Sequence, residues 1–180
     1  MDRLMPVNKI EDIPEKYANT PVKLLLEYQN FNRKNDNYQK AQLLIAMCMD
    51  HRKYLRIPPN FAYMIRTGGG NLRFCDFFIS YAISIGKISA IVLIAHNDCG
   101  MANLFSVQEQ FVEGLVQNAG WDHQQATEHF LNDAPLFEIG NEIDFVLSET
   151  ARLRIKYPKV PIIPLFYRLE DHLLYGIQED

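Results

Sequence analysis

The sequence predicts an α/β fold with a mainly parallel central sheet that is flanked by helices. Four short apolar runs have the length of strands: 42–49, 62–66, 90–95 and 160–167. Three longer segments have apolar residues at helical spacing: 72–86, 103–133 and 141–157. Because strands alternate with helices along the chain, the strands are expected to lie parallel in one sheet.

Individual elements carry further signals. The run 90–95 is continuous enough to suit a strand buried on both faces. The segment 103–133 is expected to form two helices, with Asp122 and Gln125 as a capping-box-like start of the second. The run 160–167 contains two prolines, which predicts a position at a sheet edge or an interface.

The chain is expected to form one domain with an N-terminal extension. A length of 180 residues fits a single domain. Residues 1–40 are polar and punctuated by proline, with one amphipathic stretch, PVKLLLEYQNF, and are predicted to be a helical arm that packs against another surface, such as a second subunit. Residues 41–180 are predicted to be a single α/β domain.

Composition limits the classes of function. Hydrophobic residues make up 48% and charged residues 22% of the chain, as in ordinary soluble domains. The formal net charge of -4 argues against nucleic acid or an anionic membrane as a partner. No run approaches the roughly 18 apolar residues of a membrane helix, and the first residues lack the apolar core of a signal peptide. A cytoplasmic location is therefore expected.

Chemistry-bearing residues follow the predicted strands. In parallel sheets, functional groups gather at the carboxyl ends of strands. Here Cys48 lies at the end of the first strand, and His96 and Cys99 follow the third. Thiolate and imidazole are preferred zinc ligands, and three protein ligands leave a fourth position open for water. An odd number of cysteines in a reducing compartment also favours metal binding or catalysis over disulfides.

Simpler interpretations exist for each motif taken alone. A histidine at a strand end is commonly only hydrogen-bonded, and Asp50 with Arg52 is consistent with a surface ion pair. Cys75 lies on the apolar face of a predicted helix and is expected to be a buried thiol. If it were a ligand, it would close a structural site of three cysteines and one histidine. His51 is expected to be exposed.

Three motifs in this order and at these separations, CMDHR, RTGGGN and AHNDCGM, resemble the β-class carbonic anhydrases. That family carries C-x-D-x-R, then R-N-A-G-N or a similar turn, then H-x-x-C-G. The detailed match runs over residues 39–101, and the C-terminal third fits by length and by helix–strand order. The motifs look closest to the short, compact branch of the family, which includes related hydrolases of CS2 and COS.

The resemblance implies one zinc ion per chain with Cys48, His96 and Cys99 as ligands. It also implies that Asp50 and Arg52 form the family's dyad, in which the arginine holds the aspartate away from the metal. In an extended chain, Asp50 and Arg52 would both face the side of Cys48.

The resemblance further implies a substrate pocket that includes Gln39, Tyr63, Tyr81 and Gly100. In part of the family, the residue at the position of Gln39 hydrogen-bonds substrate across a subunit interface, which implies a homodimer or a higher homo-oligomer. The turn that borders the pocket departs from the family pattern, because Thr67 replaces the asparagine and a glycine is added.

The implied activity is reversible hydration of CO2 to bicarbonate by a zinc-bound hydroxide, the reaction of a zinc lyase of the carbonate dehydratase type. Two alternatives stay open. The same zinc site would also serve hydrolysis of CS2 or COS. A structural zinc-binding or bicarbonate-binding protein without turnover is the third reading, and the intact Asp50 and Arg52 argue against it.

Overall fold

A computed structural model describes residues 3–179, which form one six-stranded sheet with helices on both faces. The strands are β1 (Leu4–Met5), β2 (Leu43–Cys48), β3 (Ala62–Thr67), β4 (Ala90–His96), β5 (Ile162–Arg168) and β6 (Leu173–Ile177). The helices are α1 (Pro21–Phe31), α2 (Asp76–Ser84), α3 (Gln108–Ala119), α4 (His123–Phe137) and α5 (Glu142–Lys156). None of the helices within residues 3–179 is long and apolar enough to span a membrane.

The spatial order of the strands is β1-β6-β5-β4-β2-β3. Strands β3, β2, β4 and β5 are parallel, whereas β6 and β1 are added antiparallel at one side. The predicted α/β class with a mainly parallel sheet is therefore confirmed. The two short antiparallel strands were not predicted, since β1 has only two residues and β6 follows β5 after a turn.

The predicted division of segment 103–133 into two helices is confirmed. Helix α3 ends at Gly120, whose φ of 70° is the left-handed conformation that glycine adopts most readily. Helix α4 begins after Asp122, whose side chain accepts hydrogen bonds from the backbone N–H groups of Gln124 and Gln125.

The predicted edge position of the proline-containing strand is wrong. Strand β5 lies between β4 and β6, inside the sheet. Pro164 pairs with Leu93 of β4, but the pairing with β6 starts only at Leu165. Pro164 thus lies where just one side of its strand is paired, which explains how a residue without an N–H group is accommodated in a central strand.

The core has two layers because strand side chains alternate between the faces of the sheet. Leu43 and Ile45 of β2 face helix α1, whereas Leu44 and Ala46 face α2 and α5. Every residue of β2 and β4 is buried. The expectation that β4 is buried on both faces is therefore confirmed.

Helix α1 of the predicted arm packs on the sheet of its own chain. Val22, Leu25 and Leu26 are fully buried in the core layer on that face. The Asn30 side chain pairs with the backbone of Leu174 in β6, with its Nδ2 2.8 Å from the carbonyl oxygen and its Oδ1 2.9 Å from the amide nitrogen. The helix is thus fixed by packing and by hydrogen bonds, while the domain boundary at residue 40 stays a prediction.

The register of the parallel strands determines where the site forms. Met47 of β2 lies opposite Ile94 of β4. Because the two strands are neighbours and run in the same direction, their last residues, Cys48 and His96, arrive at the same edge of the sheet.

Candidate metal centre

Cys48, His96 and Cys99 converge at the carboxyl edge of the sheet. All three are buried, and one potential ligand atom of each lies within 4.8 Å of those of the other two. The two Sγ atoms are 3.9 Å apart. Two sulfur atoms at about 2.3 Å from a tetrahedral zinc ion are separated by about 3.8 Å, so the donor set fits zinc in type and in spacing.

The imidazole of His96 is oriented for metal binding. Its Nδ1 lies 2.8 Å from the carbonyl oxygen of Asn97. A carbonyl oxygen can only accept, so Nδ1 donates the hydrogen, and in the neutral ring Nε2 keeps a lone pair. Nε2 is buried and has no hydrogen-bond partner. A buried unpaired imidazole nitrogen, oriented through its other nitrogen, is what a metal ligand requires.

A hydrogen bond joins the two cysteine sulfurs. The Cys99 thiol donates to the Cys48 sulfur over 3.9 Å, which lowers the pKa of Cys48 to about 3. The same hydrogen bond, together with burial, raises the pKa of Cys99. The two opposite shifts favour a thiolate at Cys48 and a thiol at Cys99, so that negative charge is favoured where a cation would bind.

Asp50 and Arg52 form an ion pair in a turn directly after β2. Arg52 Nη2 lies 2.6 Å from Asp50 Oδ2, and Arg52 Nε lies 3.1 Å from both carboxylate oxygens. The pairing holds the pKa of the Asp50 carboxyl well below its usual range. The expectation of an extended chain is wrong here, because the chain turns at residues 51–52 and the Arg52 N–H also donates to Asp50 Oδ1 at 2.9 Å.

Sequence reasoning missed a second carboxylate at Arg52. Arg52 Nη1 lies 2.6 Å from Asp98 Oδ2, and Nη2 lies 2.7 Å from the Asp98 carbonyl oxygen. Arg52 thus joins the turn after β2 to the loop between His96 and Cys99. The sequence did contain a sign of this contact, because Asp98 is an acidic residue at one of the two positions that the H-x-x-C motif leaves unspecified.

Lys53 was also missed. Its side chain is 2% exposed, and its Nζ and His96 Nε2 are the buried side-chain nitrogen or oxygen atoms without a hydrogen-bond partner within residues 3–179. Burial lowers the pKa of Lys53, and the nearby sulfurs of Cys48 and Cys99 partly oppose this. The sequence signal was a basic residue directly after the C-x-D-x-R motif, the last member of the triplet HRK.

The glycine turn supports the end of β2. Gly69 and Gly70 have φ values of 63° and 73°. A Cβ on Gly69 would lie 2.7 Å from Ile139 Cγ2, so this position requires glycine for space as well as for conformation. A Cβ on Gly70 would lie 3.6 Å from the Met47 carbonyl carbon. The turn therefore packs closely on the backbone that leads into Cys48.

The predicted pocket aromatics line one cleft of this chain. Tyr63 and Tyr81 lie in a cleft of about 490 Å³ between β3 and α2, and the residues that line it include none of Cys48, His96 and Cys99. Tyr63 is level with Leu44, four residues before Cys48, which is about 13 Å along the strand at 3.3 Å per residue. A role of the two tyrosines in a substrate pocket stays a prediction.

The remaining candidates are not members of the metal-ligand group, although Gly100 directly follows Cys99. Gln39 and Gly100 are exposed, and a Cβ on Gly100 would meet no atom within 4 Å, so the structure gives no steric reason for glycine there. Their roles in a pocket stay predictions. Cys75 is a buried thiol outside the group, and His51 is exposed, as expected for both.

Fold and site together define an α/β protein with a Cys-His-Cys group at the carboxyl edge of a parallel sheet. No family model matches the sequence, and no curated protein matches it. Solved structures do match, at low identity.

Three solved structures illustrate the match. β-Carbonic anhydrase isoform I of Trichomonas vaginalis is 17% identical, with 92% of this chain and 99% of that chain covered and a TM-score of 0.61. Carbonic anhydrase of Glaciozyma antarctica is 18% identical, with 88% and 96% covered and a TM-score of 0.60. A carbon disulfide hydrolase is 20% identical, with 93% of each chain covered and a TM-score of 0.55. The chain therefore has the β-carbonic anhydrase fold, which confirms the resemblance at the level of the fold.

The donor set predicts about one zinc per chain. Cys48→Ala and His96→Ala should each lose most of the zinc, because each removes one of three ligands. Cys75→Ala is the matched control, since it also removes a buried thiol but should keep its zinc. Elemental analysis of the purified proteins measures this. Equal loss in the Cys75 variant would favour a closed four-ligand structural site.

The hydrogen bond between the two cysteine sulfurs predicts how many protons are released when zinc binds. At pH 7, Cys48 is already a thiolate because its pKa is lowered, whereas Cys99 is still a thiol because its pKa is raised. Zinc binds both as thiolates, so loading should release about one proton per ion, from Cys99, instead of about two from ordinary thiols. Calorimetric titration in buffers of different ionisation enthalpy counts the protons. Release of about two protons per zinc ion would contradict the pairing of a Cys48 thiolate with a Cys99 thiol.

Proposed function

We propose that the protein catalyses the zinc-dependent, reversible hydration of CO2 to bicarbonate. The observation that carries the proposal is the buried group of Cys48, His96 and Cys99, with an unpaired Nε2, beside an ionised Asp50 held by Arg52. When bound, zinc supplies a Lewis acid that brings the pKa of a coordinated water towards neutrality. The fold shared with carbonic anhydrases supports the same reaction.

The residues of this chain have distinct roles in the proposed reaction. Arg52 donates three side-chain hydrogen bonds to Asp50 and keeps that carboxylate ionised. An ionised carboxylate can only accept hydrogen bonds, so Asp50 is suited to accept one from a reacting water and orient its lone pair towards the carbon of CO2. Bicarbonate then leaves, and the released proton passes to solvent.

Hydrolysis of CS2 or COS is the second candidate. The fold match to a carbon disulfide hydrolase covers 93% of both chains. Both substrates are small linear molecules like CO2, so the same ligand set and the same Asp50–Arg52 pair would serve. The choice between the substrates depends on access to the site.

Direct assay of zinc-loaded protein tests the proposal. CO2 hydration followed by stopped flow should be fast, and hydrolysis of CS2 and COS should be slow beside it. The reverse order would establish the second candidate. Protein that is fully loaded with zinc but inactive on all three would leave only a structural or bicarbonate-binding role.

Arg52 variants test the mechanism. Arg52→Ala should keep its zinc but lose about a hundredfold in turnover, because nothing then positions Asp50. Arg52→Lys should recover only part of the activity, since an ammonium cannot reproduce the two-pronged contact of a guanidinium. Turnover is measured at pH 8 together with zinc content. A zinc-loaded Arg52→Ala protein with wild-type turnover would contradict the mechanism.

We also propose that the active species is a homodimer or a higher homo-oligomer. Strand β3 is the last strand on its side of the sheet, and its outer edge is next to an exposed apolar surface on β3 and α2. This aromatic surface contains the exposed side chains that share one cleft between β3 and α2, namely Tyr63, Met64, Phe77, Phe78 and Tyr81. An apolar surface of this extent is typical of a protein interface.

A second copy of this chain is the proposed occupant of the aromatic surface. Tyr63 and Tyr81 lie on it, in a cleft whose lining includes none of Cys48, His96 and Cys99 of their own chain. Pairing across this surface would bring aromatic side chains of one subunit towards the site of its partner, in the way that Gln39 is proposed to act.

Phe78→Asp should therefore produce monomers at micromolar concentration, because a buried unpaired carboxylate is costly in an interface. The matched control is Ile155→Asp on α5, where the replaced side chain is 84% exposed and distant in sequence from the surface. Sedimentation equilibrium measures both. A stable oligomer of the Phe78 variant, or a fully active monomer, would contradict the proposed interface.

The proposed location is the cytoplasm. Cys48, Cys75 and Cys99 are free thiols, and a reducing compartment keeps two buried sulfurs 3.9 Å apart available for zinc.

A further inference from the structure

Arg52 is held by two acidic residues from two different motifs. We propose that Asp98 is a positioning residue that fixes the Arg52 guanidinium and thereby determines how firmly Asp50 is retained. The catalytic consequence of this inference rests on the proposed function, whereas the positioning itself does not.

The contacts of the two acidic residues with Arg52 do not compete. Asp50 is bound through Nε and one N–H of Nη2, and the Asp98 carboxylate is bound through Nη1. The remaining N–H of Nη2 is directed to the Asp98 carbonyl oxygen. All three guanidinium nitrogens thus have acceptors, and the planar group has little freedom to rotate away from either partner.

The backbone at Asp98 makes this arrangement more than an ordinary surface ion pair. Asp98 has a φ of 53°, a left-handed conformation that is uncommon for a residue other than glycine. In this conformation its carbonyl oxygen and its carboxylate both reach the same guanidinium. A lone exposed ion pair contributes little, but here one residue supplies two contacts, and the chain conformation fixes one of them.

The different exposure of the two carboxylates indicates a division of roles. The Asp50 side chain is 13% exposed and belongs to a residue whose backbone N–H donates to the Cys48 sulfur, whereas the Asp98 side chain is 76% exposed. Asp50 is therefore placed for chemistry, and Asp98 holds the arginine from the solvent side. If Arg52 loses its contacts with Asp98, Asp50 separates from Arg52 more easily. A carboxylate that is free beside a metal competes with water as a ligand.

Two substitutions isolate the contribution of the Asp98 side chain. Asp98→Asn keeps the shape and tolerates the left-handed backbone but loses the charge. Asp98→Gly removes the side chain and relieves the conformation. The matched control is Asp144→Asn, which removes an equally exposed carboxylate that lies 4.0 Å from an arginine elsewhere on the surface.

The first readout uses metal-free protein, so that it does not depend on catalysis. Hydrogen exchange of the Arg52 Nε–H, followed by nitrogen-15 NMR, should be about twofold to fivefold faster in both Asp98 variants. The expected change is small because one exposed ion pair contributes little free energy. The Asp144 variant should match the wild type. Unchanged exchange in both Asp98 variants would overturn the inference.

The second readout is the turnover of CO2 in zinc-loaded protein as a function of pH. Both Asp98 variants should keep their zinc, lose about twofold to fivefold in turnover at pH 7 and recover at higher pH, where hydroxide competes better with the Asp50 carboxylate. If the wild type has no hydration activity, the proposed function fails while the exchange experiment still decides the inference. If the wild type is active and the Asp98 variants match it in exchange and in pH profile, the inference fails and the function stands.

Discussion

The parallel pairing of β2 with β4 is the constraint on which the site depends. The two strands are neighbours in register, so their carboxyl ends deliver Cys48 and His96 to one edge of the sheet. A slip of one residue in this register would turn every side chain of one strand to the opposite face. Because both strands are buried throughout, such a slip would disrupt two core layers at once, and the register is correspondingly firm.

The loops at this edge of the sheet hold the charged side chains that surround Cys48, His96 and Cys99. Two sulfurs and an imidazole form a buried donor set for a divalent cation, and the buried Nζ of Lys53, whose pKa is lowered mainly by burial, lies near the two sulfurs. Arg52 stands outside the buried group and connects two turns that the sheet alone would leave independent. The strands thus place Cys48 and His96, while the turns that follow them place Cys99 and the arginine that holds Asp50.

The convergence of Cys48, His96 and Cys99 could be predicted from sequence because residue type, spacing and strand-end position all pointed to the same chemistry. Asp98 and Lys53 could not, since their roles depend on which side chains the folded loops bring within hydrogen-bond distance. The edge position predicted for β5 failed for a similar reason: whether Pro164 needs a hydrogen-bond partner depends on where the pairing with β6 starts. The placement of Tyr63 far from Cys48 is likewise a property of the sheet, and it is invisible in a motif.

The hydrogen bond from His96 Nδ1 to the Asn97 carbonyl has one more implication. It leaves Nε2 as the single basic position of the ring, and that nitrogen is sealed from solvent at the sheet edge. The imidazole can therefore offer a metal ion only this one nitrogen, because the other is committed to the Asn97 carbonyl, and His96 could serve one metal ion but could not bridge two.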